Sequence, residues 1–502
     1  MKKANKILGG VLIGLVAVLV IAVVAVAIIA INANKYIAGM SASDIPSHVE
    51  LEANKYGTIT AVGRGLYDAN GNRYEIKGIN YGNLFIAEGW MTVNSMGAMY
   101  NEDGSFKSVN AEGVVEEYEE IFQEEMDALL AEKFTDEELD ALNDAYYEAY
   151  CTEADFQLLS DTGLNTIRLP VYYRTFLTTY DRYRLTDEEL CAKDFDSIEL
   201  VWEKVDQFME YAKKYDLKVI LDMHGVMGGQ SGYEHCGTRD YDFWENEDYI
   251  EFMCNLWRAI AKHYTEERPD LAATIVAFDL ANEPTKRTEL GTGKLQWNVM
   301  DRLYDAIREV DECHVISIEG VWYPNSLPDP EDYDWDNVLY QYHFYNWNHD
   351  KGVSNEMFYS TMYSLYQQSN YNVPKLVGEF NLFGNKDAWS KYLVQYDELG
   401  WGWTIWSYKI VSVGWWDSSW GIVVNKLNLQ NDVANTPIDE YKLKLDLRTA
   451  TFDEIMKAWS NEQTQYDGQD GSYKLYRDGM LYGVLKDYFG EDFLVNIREV
   501  EK

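Results

Sequence analysis

The chain has 502 residues, a length that suits one large α/β barrel with insertions. It carries 84 acidic and 43 basic residues, and the net charge of −41 argues against nucleic acid as a partner because phosphate backbones would be repelled. The five cysteines are scattered without CxxC spacing, which excludes a zinc pattern and a disulfide framework. An aromatic content of 15%, with 16 Trp, is typical of either a large aromatic core or a site that stacks flat apolar faces such as those of sugar rings.

The first forty residues predict a membrane segment. Lys2, Lys3 and Lys6 precede an uncharged apolar run over residues 7–31, which as a helix would span roughly 37 Å against a hydrocarbon core of about 30 Å. Because a cleavable signal has a shorter apolar region of about 7–15 residues, we expect an uncleaved signal anchor, with a cleaved secretory signal as the alternative. The lysines place the amino end in the cytoplasm and the rest of the chain outside the cell.

Four parts of the chain follow from this division. We expect a cytoplasmic stub with the transmembrane anchor over 1–34, a juxtamembrane linker over 35–56, a barrel domain over 57–460, and a helical extension packed on the barrel over 461–502. Within the barrel domain, the first residues predict a hairpin with a turn at 68–72 and then a strand at 74–80. An acidic insertion follows, with helices expected over 114–130 and 136–150, the second capped from Thr135.

After the insertion, apolar strands alternate with helical runs. The further predicted strands are 164–169, 217–223, 274–280, 314–318, 338–342, 375–378 and 401–405. The predicted helices are 198–215, 249–264, 295–310, 356–368, 386–399, 451–459 and 473–489. Together with 74–80 there are eight strands, and this alternation predicts a parallel sheet that closes as a (β/α)8 TIM barrel.

Polar side chains collect where the predicted strands end, and in a barrel these ends converge on one face. The strand at 274–280 is followed by Asn282 and Glu283. Taken alone, Glu283 is equally well explained as a solvated residue at a strand-to-loop corner. A second carboxylate, Glu379, follows the strand at 375–378, and this shared position favours a functional interpretation. The other strand ends carry Arg168, His224, His343, Tyr345 and Trp406.

Two carboxylates at the ends of strands four and seven are what the cleavage of a glycosidic bond requires. One must stay protonated to donate to the leaving oxygen, and the other must stay ionised to attack the anomeric carbon. Burial and like charge raise one pKa, whereas cationic and hydrogen-bonding neighbours hold the other down. Arg168 and Tyr345 suit the second task, and Asn282 is placed to hold a substrate hydroxyl. In a retaining enzyme the two carboxyl groups lie about 5–5.5 Å apart.

An ordered set of motifs extends through these strand ends. It consists of NTIRLP at 165–170, DMHG at 222–225, NEP at 282–284, HFY at 343–345, GEF at 378–380, and Trp406. The set resembles glycoside hydrolase family 5, and the resemblance covers residues 57–459. It implies a (β/α)8 barrel with retaining double-displacement chemistry and no cofactor or metal, in which Glu283 is the acid/base and Glu379 the nucleophile. The side chains that it implies as substrate-binding or supporting residues are Arg168, His224, Asn282, His343, Tyr345 and Trp406.

Finer similarities concern the loops. Segments at 82–90, 152–156, 224–232 and 402–409 are similar to the β-1,3-glucanase-like branch of that family, whereas GEFN at 378–381 departs from it, so β-1,3 and β-1,4 linkages both stay open. Loop tryptophans on the same face are expected to be sugar platforms, with simple loop packing as the alternative for each. They are Trp90, Trp322, Trp347, Trp415, Trp416 and Trp420. Glu88 and Glu319 are expected to bind sugar hydroxyls.

The expected function is that of a membrane-tethered, extracellular retaining β-glycosidase whose substrate is an oligo- or polysaccharide of the β-glucan type. The same barrel acting on β-mannan or another β-glycoside is one alternative. A catalytically inactive barrel that binds carbohydrate is another, and it is disfavoured because decayed enzymes tend to lose one of the two carboxylates, whereas both are present.

Overall fold

The computed structural model describes residues 41–52, 54–97, 105, 107, 120–285, 294–321, 327–348, 352–355, 357–358, 371–383, 386–411, 420–425, 444–460, 475–477 and 479–490. Within these ranges no helix is long and apolar enough to cross a membrane. The predicted anchor over 1–34 lies outside the described residues, and so does most of the helix predicted over 356–368.

Eight parallel strands close into a barrel, which confirms the predicted architecture. They are β1 (Lys77–Asn80), β2 (Thr166–Tyr172), β3 (Lys218–Gly225), β4 (Ile275–Asp279), β5 (Val315–Glu319), β6 (Val338–Tyr345), β7 (Lys375–Asn381) and β8 (Gly402–Ile405). Each strand pairs with the next, and β8 pairs with β1, so the sheet has no edge. The strands are buried on both faces, which explains why they form nearly continuous apolar runs in the sequence.

Helices surround the barrel and fill the insertion after β1. In the described part of the chain the α-helices are α1 (Gln123–Lys133), α2 (Asp136–Tyr150), α3 (Glu153–Thr162), α4 (Thr179–Arg184), α5 (Asp187–Cys191), α6 (Glu203–Lys214), α7 (Glu247–Lys262), α8 (Pro269–Ala272), α9 (Lys294–Arg308), α10 (Lys386–Leu399), α11 (Phe452–Trp459) and α12 (Gly479–Phe489). A π-helical turn, His263–Glu267, continues α7, and short 3₁₀ turns cover Ala42–Asp44, Tyr173–Phe176, Phe195–Ser197, Glu234–Cys236, Phe243–Glu245 and Pro330–Tyr333. The predicted cap of α2 is confirmed, because Thr135 and Glu138 form a reciprocal capping box.

In the described ranges, short strands outside the barrel form three small sheets. Thr60–Val62, Gly65–Tyr67 and Arg73–Tyr74 make an antiparallel sheet, so the predicted strand at 74–80 is divided between this sheet and β1. Asn94–Ser95 pairs with Leu445–Asp446, and Val423–Asn425 pairs with both Lys409–Ile410 and Leu475–Arg477. The helix predicted over 473–489 is therefore wrong at its start, because residues 475–477 hydrogen-bond as a strand and α12 begins only at Gly479.

The two ends of the barrel differ in chemistry. At the amino ends of the strands, Leu66 from the hairpin packs in an apolar cluster with Ile220, Val315 and Leu376. At the carboxyl ends, the buried side chains are charged or polar, and they include Arg168. The apolar end closes the barrel, so the polar end is where chemistry with water-soluble molecules can take place.

Two register shifts occur at the carboxyl ends. Between β2 and β3, Val171 faces Met223 but Tyr172 faces Gly225, which leaves His224 as an extra residue on β3. Such a bulge redirects a side chain locally. It therefore sets the direction of the His224 imidazole.

The second shift lies between β6 and β7. Tyr342 faces Val377 but His343 faces Glu379, so Gly378 is the extra residue. A Cβ atom at Gly378 would lie 2.4 Å from the Gln341 side chain, which explains why glycine occupies this position. The bulge consequently sets Glu379 directly opposite His343.

A buried ion pair fastens the segment after β8 to α3. Lys409 Nζ lies 2.9 Å from Asp155 Oδ1 and donates to the carbonyl oxygen of Tyr150 at 2.6 Å. Tyr408 donates its hydroxyl to the same carboxylate oxygen at 2.7 Å. Both charged side chains are 0% exposed, so neither finds water if the other is removed.

We expect Lys409→Met to lower the free energy of unfolding by about 3–5 kcal/mol, because it leaves the Asp155 carboxylate buried without its cation. The matched control is Lys214→Met, which removes the partner of Glu153 on the same helix, where the two side chains are 58% and 44% exposed. An exposed pair contributes little, so the control should unfold like the wild type. Denaturant titration followed by circular dichroism makes the comparison, and equal behaviour of both variants would contradict the structural role of Lys409.

Candidate active site

Glu283 and Glu379 meet at the carboxyl ends of the barrel. Glu379 lies on β7 and Glu283 follows β4, and the two residues are 6% and 9% exposed. His343 of β6 stands between them, with Nδ1 2.9 Å from Glu283 Oε1 and 3.5 Å from Glu379 Oε2. Since both oxygens lie close to one nitrogen, their separation cannot exceed the sum of these distances, about 6.4 Å.

Arg168 of β2 connects the second carboxylate to its surroundings. Its Nη1 atom donates to Glu379 Oε1 at 2.8 Å and to Asn80 Oδ1 at 3.1 Å, and Nη2 donates to Asn282 Oδ1 at 2.9 Å. The guanidinium has no exposed surface. Its planar donors therefore fix both the carboxylate of Glu379 and the amide of Asn282.

Two further carboxylates, Asp222 and Asp279, complete the surroundings of Arg168. Nη2 lies 3.0 Å from Asp222 Oδ1, and Nε donates to Asp279 Oδ2 at 2.9 Å. Burial raises the pKa of Asp222 to about 7 and that of Asp279 to about 6, although Arg168 opposes both shifts. Asp279 is not among the candidate residues of the sequence, and Asp222 enters only as part of the DMHG motif, because an acidic side chain inside an apolar strand meets its partner only when the barrel closes.

Asp222 also orients His224. Asp222 Oδ2 lies 2.6 Å from His224 Nδ1, and His224 Nε2 lies 3.3 Å from Asn282 Nδ2. Burial, and then Arg168, lower the pKa of His224 well below its usual range, so the ring is neutral. With its proton on Nδ1 towards Asp222, the ring accepts from the Asn282 amide through Nε2.

Glu283 and Glu379 differ in their partners. Both oxygens of Glu379 accept from donors, Oε1 from Arg168 and Oε2 from the Tyr345 hydroxyl at 2.9 Å. Burial raises the pKa of Glu379, and Arg168 opposes this rise. Burial also raises the pKa of Glu283, to about 7, but its contacts are to imidazole nitrogens, including that of His343. Because the Arg168 cation contacts Glu379 directly, it favours the ionised form of Glu379 and thus a shared proton on Glu283.

The backbone of Glu283 is held in an uncommon conformation. Its φ angle is +40°, in the left-handed region that side chains with a Cβ rarely adopt. Its N–H donates to Glu319 Oε2 at 2.8 Å, and the Asn282 N–H donates to the carbonyl oxygen of Met223 at 3.0 Å. Glu319 is 0% exposed, so the prediction that it binds a sugar hydroxyl is wrong. It instead holds the peptide that carries Glu283.

A cleft opens above the carboxyl pair. Its lining residues are Glu88, Trp90, His224, His235, Asn282, Glu283, Tyr345, Trp347, Glu379, Trp406 and Trp420. Arg168 and His343 lie behind this lining without exposed surface and reach the cleft through the carboxylates. Trp322, Trp415 and Trp416 lie outside the described residues.

The tryptophans of the cleft have different surroundings. Trp406 is 3% exposed and stacks on the His224 ring at 5.4 Å. Trp347 is 55% exposed and lies nearly parallel to Tyr345 at 4.9 Å, which leaves its other surface open to solvent. Trp420 is 3% exposed and meets Trp90 edge-on at 5.0 Å, so packing accounts for much of its surface.

Acidic residues close one wall of the cleft. Glu88 Oε2 accepts from Trp90 Nε1 at 2.8 Å, and burial with the nearby Glu234 raises the pKa of Glu88 to about 8. Glu234 accepts the N–H of Gly89, and burial raises its pKa to about 7.

His235 is a neighbour of Glu283 that the sequence did not reveal. Its Nε2 lies 3.3 Å from Glu283 Oε2. The sequence signal for His235 is its position directly after the Gly-rich segment at 228–232.

Among the described residues, one group of carboxylates and imidazole offers atoms close enough to hold a metal ion. Its members are Glu283, Glu319 and His343, whose atoms lie within 4.8 Å of one another. Glu319 Oε2 already accepts the N–H of Glu283, and His343 Nδ1 contacts Glu283 Oε1. These contacts orient Glu283, whereas Glu319 Oε1 and His343 Nε2 have no hydrogen-bond partner within the described part of the chain.

The family model described as cellulase (glycosyl hydrolase family 5) matches residues 130–412. A beta-xylosidase of Phanerodontia chrysosporium is 28% identical over 223 residues, 44% of this chain and 42% of that protein. Glucan 1,3-beta-glucosidase 2 of Wickerhamomyces anomalus is 28% identical over 221 residues, which are 44% of this chain and 44% of that protein. Endoglucanase C of Acetivibrio thermocellus is 28% identical over 204 residues, which are 40% of this chain and 52% of that protein. The chain thus spans about half the length of these relatives. Because the family model covers more than half of the chain, the protein belongs to glycosyl hydrolase family 5.

Proposed function

We propose that the protein is a retaining β-glycosidase that hydrolyses the O-glycosidic bonds of β-glucans, β-1,3- or β-1,4-linked, by double displacement. The observation that carries the proposal is the pair of carboxyl groups that share His343 Nδ1, at 2.9 Å from Glu283 and 3.5 Å from Glu379. The resulting upper limit of about 6.4 Å on their oxygen separation includes the retaining spacing of about 5–5.5 Å and lies below the roughly 6.5–9.5 Å of inverting enzymes.

Glu379 is the nucleophile in this proposal. Arg168 and Tyr345 donate to its two oxygens at 2.8 and 2.9 Å, which favours the ionised form and fixes the plane of the carboxylate. An oxygen of Glu379 attacks the anomeric carbon while the bond to the leaving oxygen breaks, and a covalent glycosyl-enzyme forms.

Glu283 is the acid/base. Its pKa of about 7 leaves it substantially protonated at neutral pH, so that it can give its proton to the leaving oxygen in the first step. The resulting carboxylate then takes a proton from the water that attacks the glycosyl-enzyme and releases Glu379. One residue thereby serves both steps.

The remaining cleft residues bind the sugar in this proposal. Asn282 and Glu88 offer polar atoms for hydroxyl groups, His224 orients the Asn282 amide, and Trp406, Trp90 and Trp347 offer ring surfaces to apolar sugar faces. Trp322 and Trp415 are proposed as further platforms from their sequence positions. Two of the relatives, a glucan 1,3-beta-glucosidase and an endoglucanase, favour a β-glucan as substrate over a β-mannan.

We also propose that the apolar run at 7–31 anchors the protein in the cell membrane with the barrel outside. Lys2, Lys3 and Lys6 before this run support the orientation. Outside the cell, the acidic barrel would have access to polymeric glucans, which are uncharged.

The function is tested by incubating the protein with laminarin, cellulose, mixed-linkage glucan and mannan and measuring reducing ends. We expect release from at least one glucan, and we expect Glu379→Gln to abolish it because the neutral amide is no longer a nucleophile. Glu309→Gln, an exposed change at a surface ion pair, is the matched control and should leave activity unchanged. Full activity of Glu379→Gln would refute the assignment, and release from mannan alone would replace the glucan by the alternative substrate.

The pH dependence tests the assignment of Glu283. Because the first step needs Glu283 protonated and its pKa is raised to about 7, kcat/KM for a substrate with a poor leaving group should fall as pH rises through about 7. Beyond that point the loss should approach about tenfold per pH unit, since only the protonated fraction reacts. A profile that stays flat up to pH 9 would show that Glu283 is not the essential acid.

The anchor is tested by fractionation of cells that produce the full chain. We expect the protein to stay in the membrane pellet after carbonate washing, and we expect a protease added to intact cells to digest the barrel. Recovery of a species without its first forty residues in the medium would establish secretion after cleavage instead.

A further inference from the structure

His235 occupies a position on Glu283 that the mechanism above leaves unused. Glu283 Oε1 faces His343 Nδ1 at 2.9 Å, and Oε2 faces His235 Nε2 at 3.3 Å. Each carboxyl oxygen of the acid/base therefore has its own imidazole. The two rings differ in exposure, because the side chain of His343 is 0% exposed and that of His235 is 20% exposed and lines the cleft.

The geometry shows which oxygen handles the leaving group. Oε1 is turned towards the nucleophile, since His343 Nδ1 reaches both it and Glu379 Oε2. In a double displacement the leaving oxygen departs on the side of the sugar opposite to the nucleophile. Oε2, on the His235 side, is therefore the oxygen that exchanges the proton with the leaving group.

We propose that His235 is a positioning residue for Glu283, donating its Nε2–H to Oε2 so that the carboxyl group presents its proton to the departing oxygen. The proposal rests on the proposed function. A donated hydrogen bond uses one lone pair of Oε2 and leaves the other for the transferred proton. It also stabilises the carboxylate that forms when the proton has left.

The neighbours of His235 support this role. Ser231 Oγ lies 3.1 Å from the same Nε2 and, when Nε2 carries the proton, accepts from it alongside Glu283, and the His224 ring packs edge-on at 6.2 Å. Burial, and then His224, lower the pKa of His235 to about 3, so the ring stays neutral in the working pH range. A change in the pH profile of a His235 variant would consequently report on Glu283 and not on the lost imidazole.

Other ionisable groups face this pair from the surrounding strands and loops. They are Arg168 of β2, Asp222 and His224 of β3, Glu319 of β5, His343 and Tyr345 of β6, Glu379 of β7, and Glu88 and Glu234 in the loops. None of them is substituted when only His235 is changed. The variants below therefore isolate the hydrogen bond to Oε2.

The test compares His235→Leu, which has no donor, with His235→Gln, whose amide N–H restores one near the position of Nε2. His48→Leu, at an exposed histidine far from the cleft, is the matched control. The substrates are two aryl β-glycosides of the sugar identified with the polysaccharides, one with a methoxyphenyl and one with a dinitrophenyl leaving group. Departure of the dinitrophenyl group needs no proton, so kcat/KM for that substrate, which reports the first step, bypasses the acid task of Glu283.

For His235→Leu we expect kcat/KM on the methoxyphenyl substrate to be about tenfold lower. We also expect the alkaline limb of its pH profile to shift upward by roughly half to one pH unit, because the carboxylate of Glu283 loses a hydrogen bond that stabilises it. The dinitrophenyl substrate should react as with the wild type. His235→Gln should recover most of the loss, and His48→Leu should show none.

Two results would overturn the proposal. One is a wild-type pH profile in His235→Leu, and the other is an equal loss on both substrates, which would indicate a general distortion of the site. Inactivity of the wild type on all glycosides would instead overturn the proposed function itself, so the two failures are distinguishable.

Discussion

The buried guanidinium of Arg168 is the interaction on which the site depends. It has no exposed surface and lies within 3.0 Å of carboxylate oxygens of Asp222, Asp279 and Glu379. An ion without water costs several kcal/mol unless it is paired, and three carboxylates this close would repel one another without the cation. The four groups are therefore stable only together, and closure of the barrel is what brings β2, β3, β4 and β7 close enough to assemble them.

This cluster also explains how two similar carboxyl groups acquire different properties. Glu379 contacts the cation directly, whereas Glu283 contacts His343 and His235. Burial, and then neighbouring positive charge or imidazole, lower the pKa values of these two histidines, so both rings stay neutral. Position relative to Arg168, and not exposure, separates the roles, since both carboxyl groups are almost equally buried.

The sequence predicted the eight strands and both carboxylates because apolar runs and the residues that end them are local features. It did not predict the register shifts at His224 and Gly378, because a bulge is defined only against the neighbouring strand. It also assigns Asp222 no role beyond the DMHG motif, because the partner Arg168 lies 54 positions earlier and is reached only across the closed sheet.

The roles of loop residues were harder to predict from the sequence than those of the strand ends. Their resemblance to known segments placed Glu88 and Trp90 at the cleft, but no periodic pattern fixes how a loop folds back, so His235 was not recognised and Glu319 was given the wrong role. The strand ends hold Glu379, the proposed nucleophile, in a rigid charge network, whereas the loop residue His235 contacts Glu283, the proposed acid/base. Under the proposed function, changes in the loops would alter proton delivery and substrate preference without disturbing the ion cluster, which depends on the barrel alone.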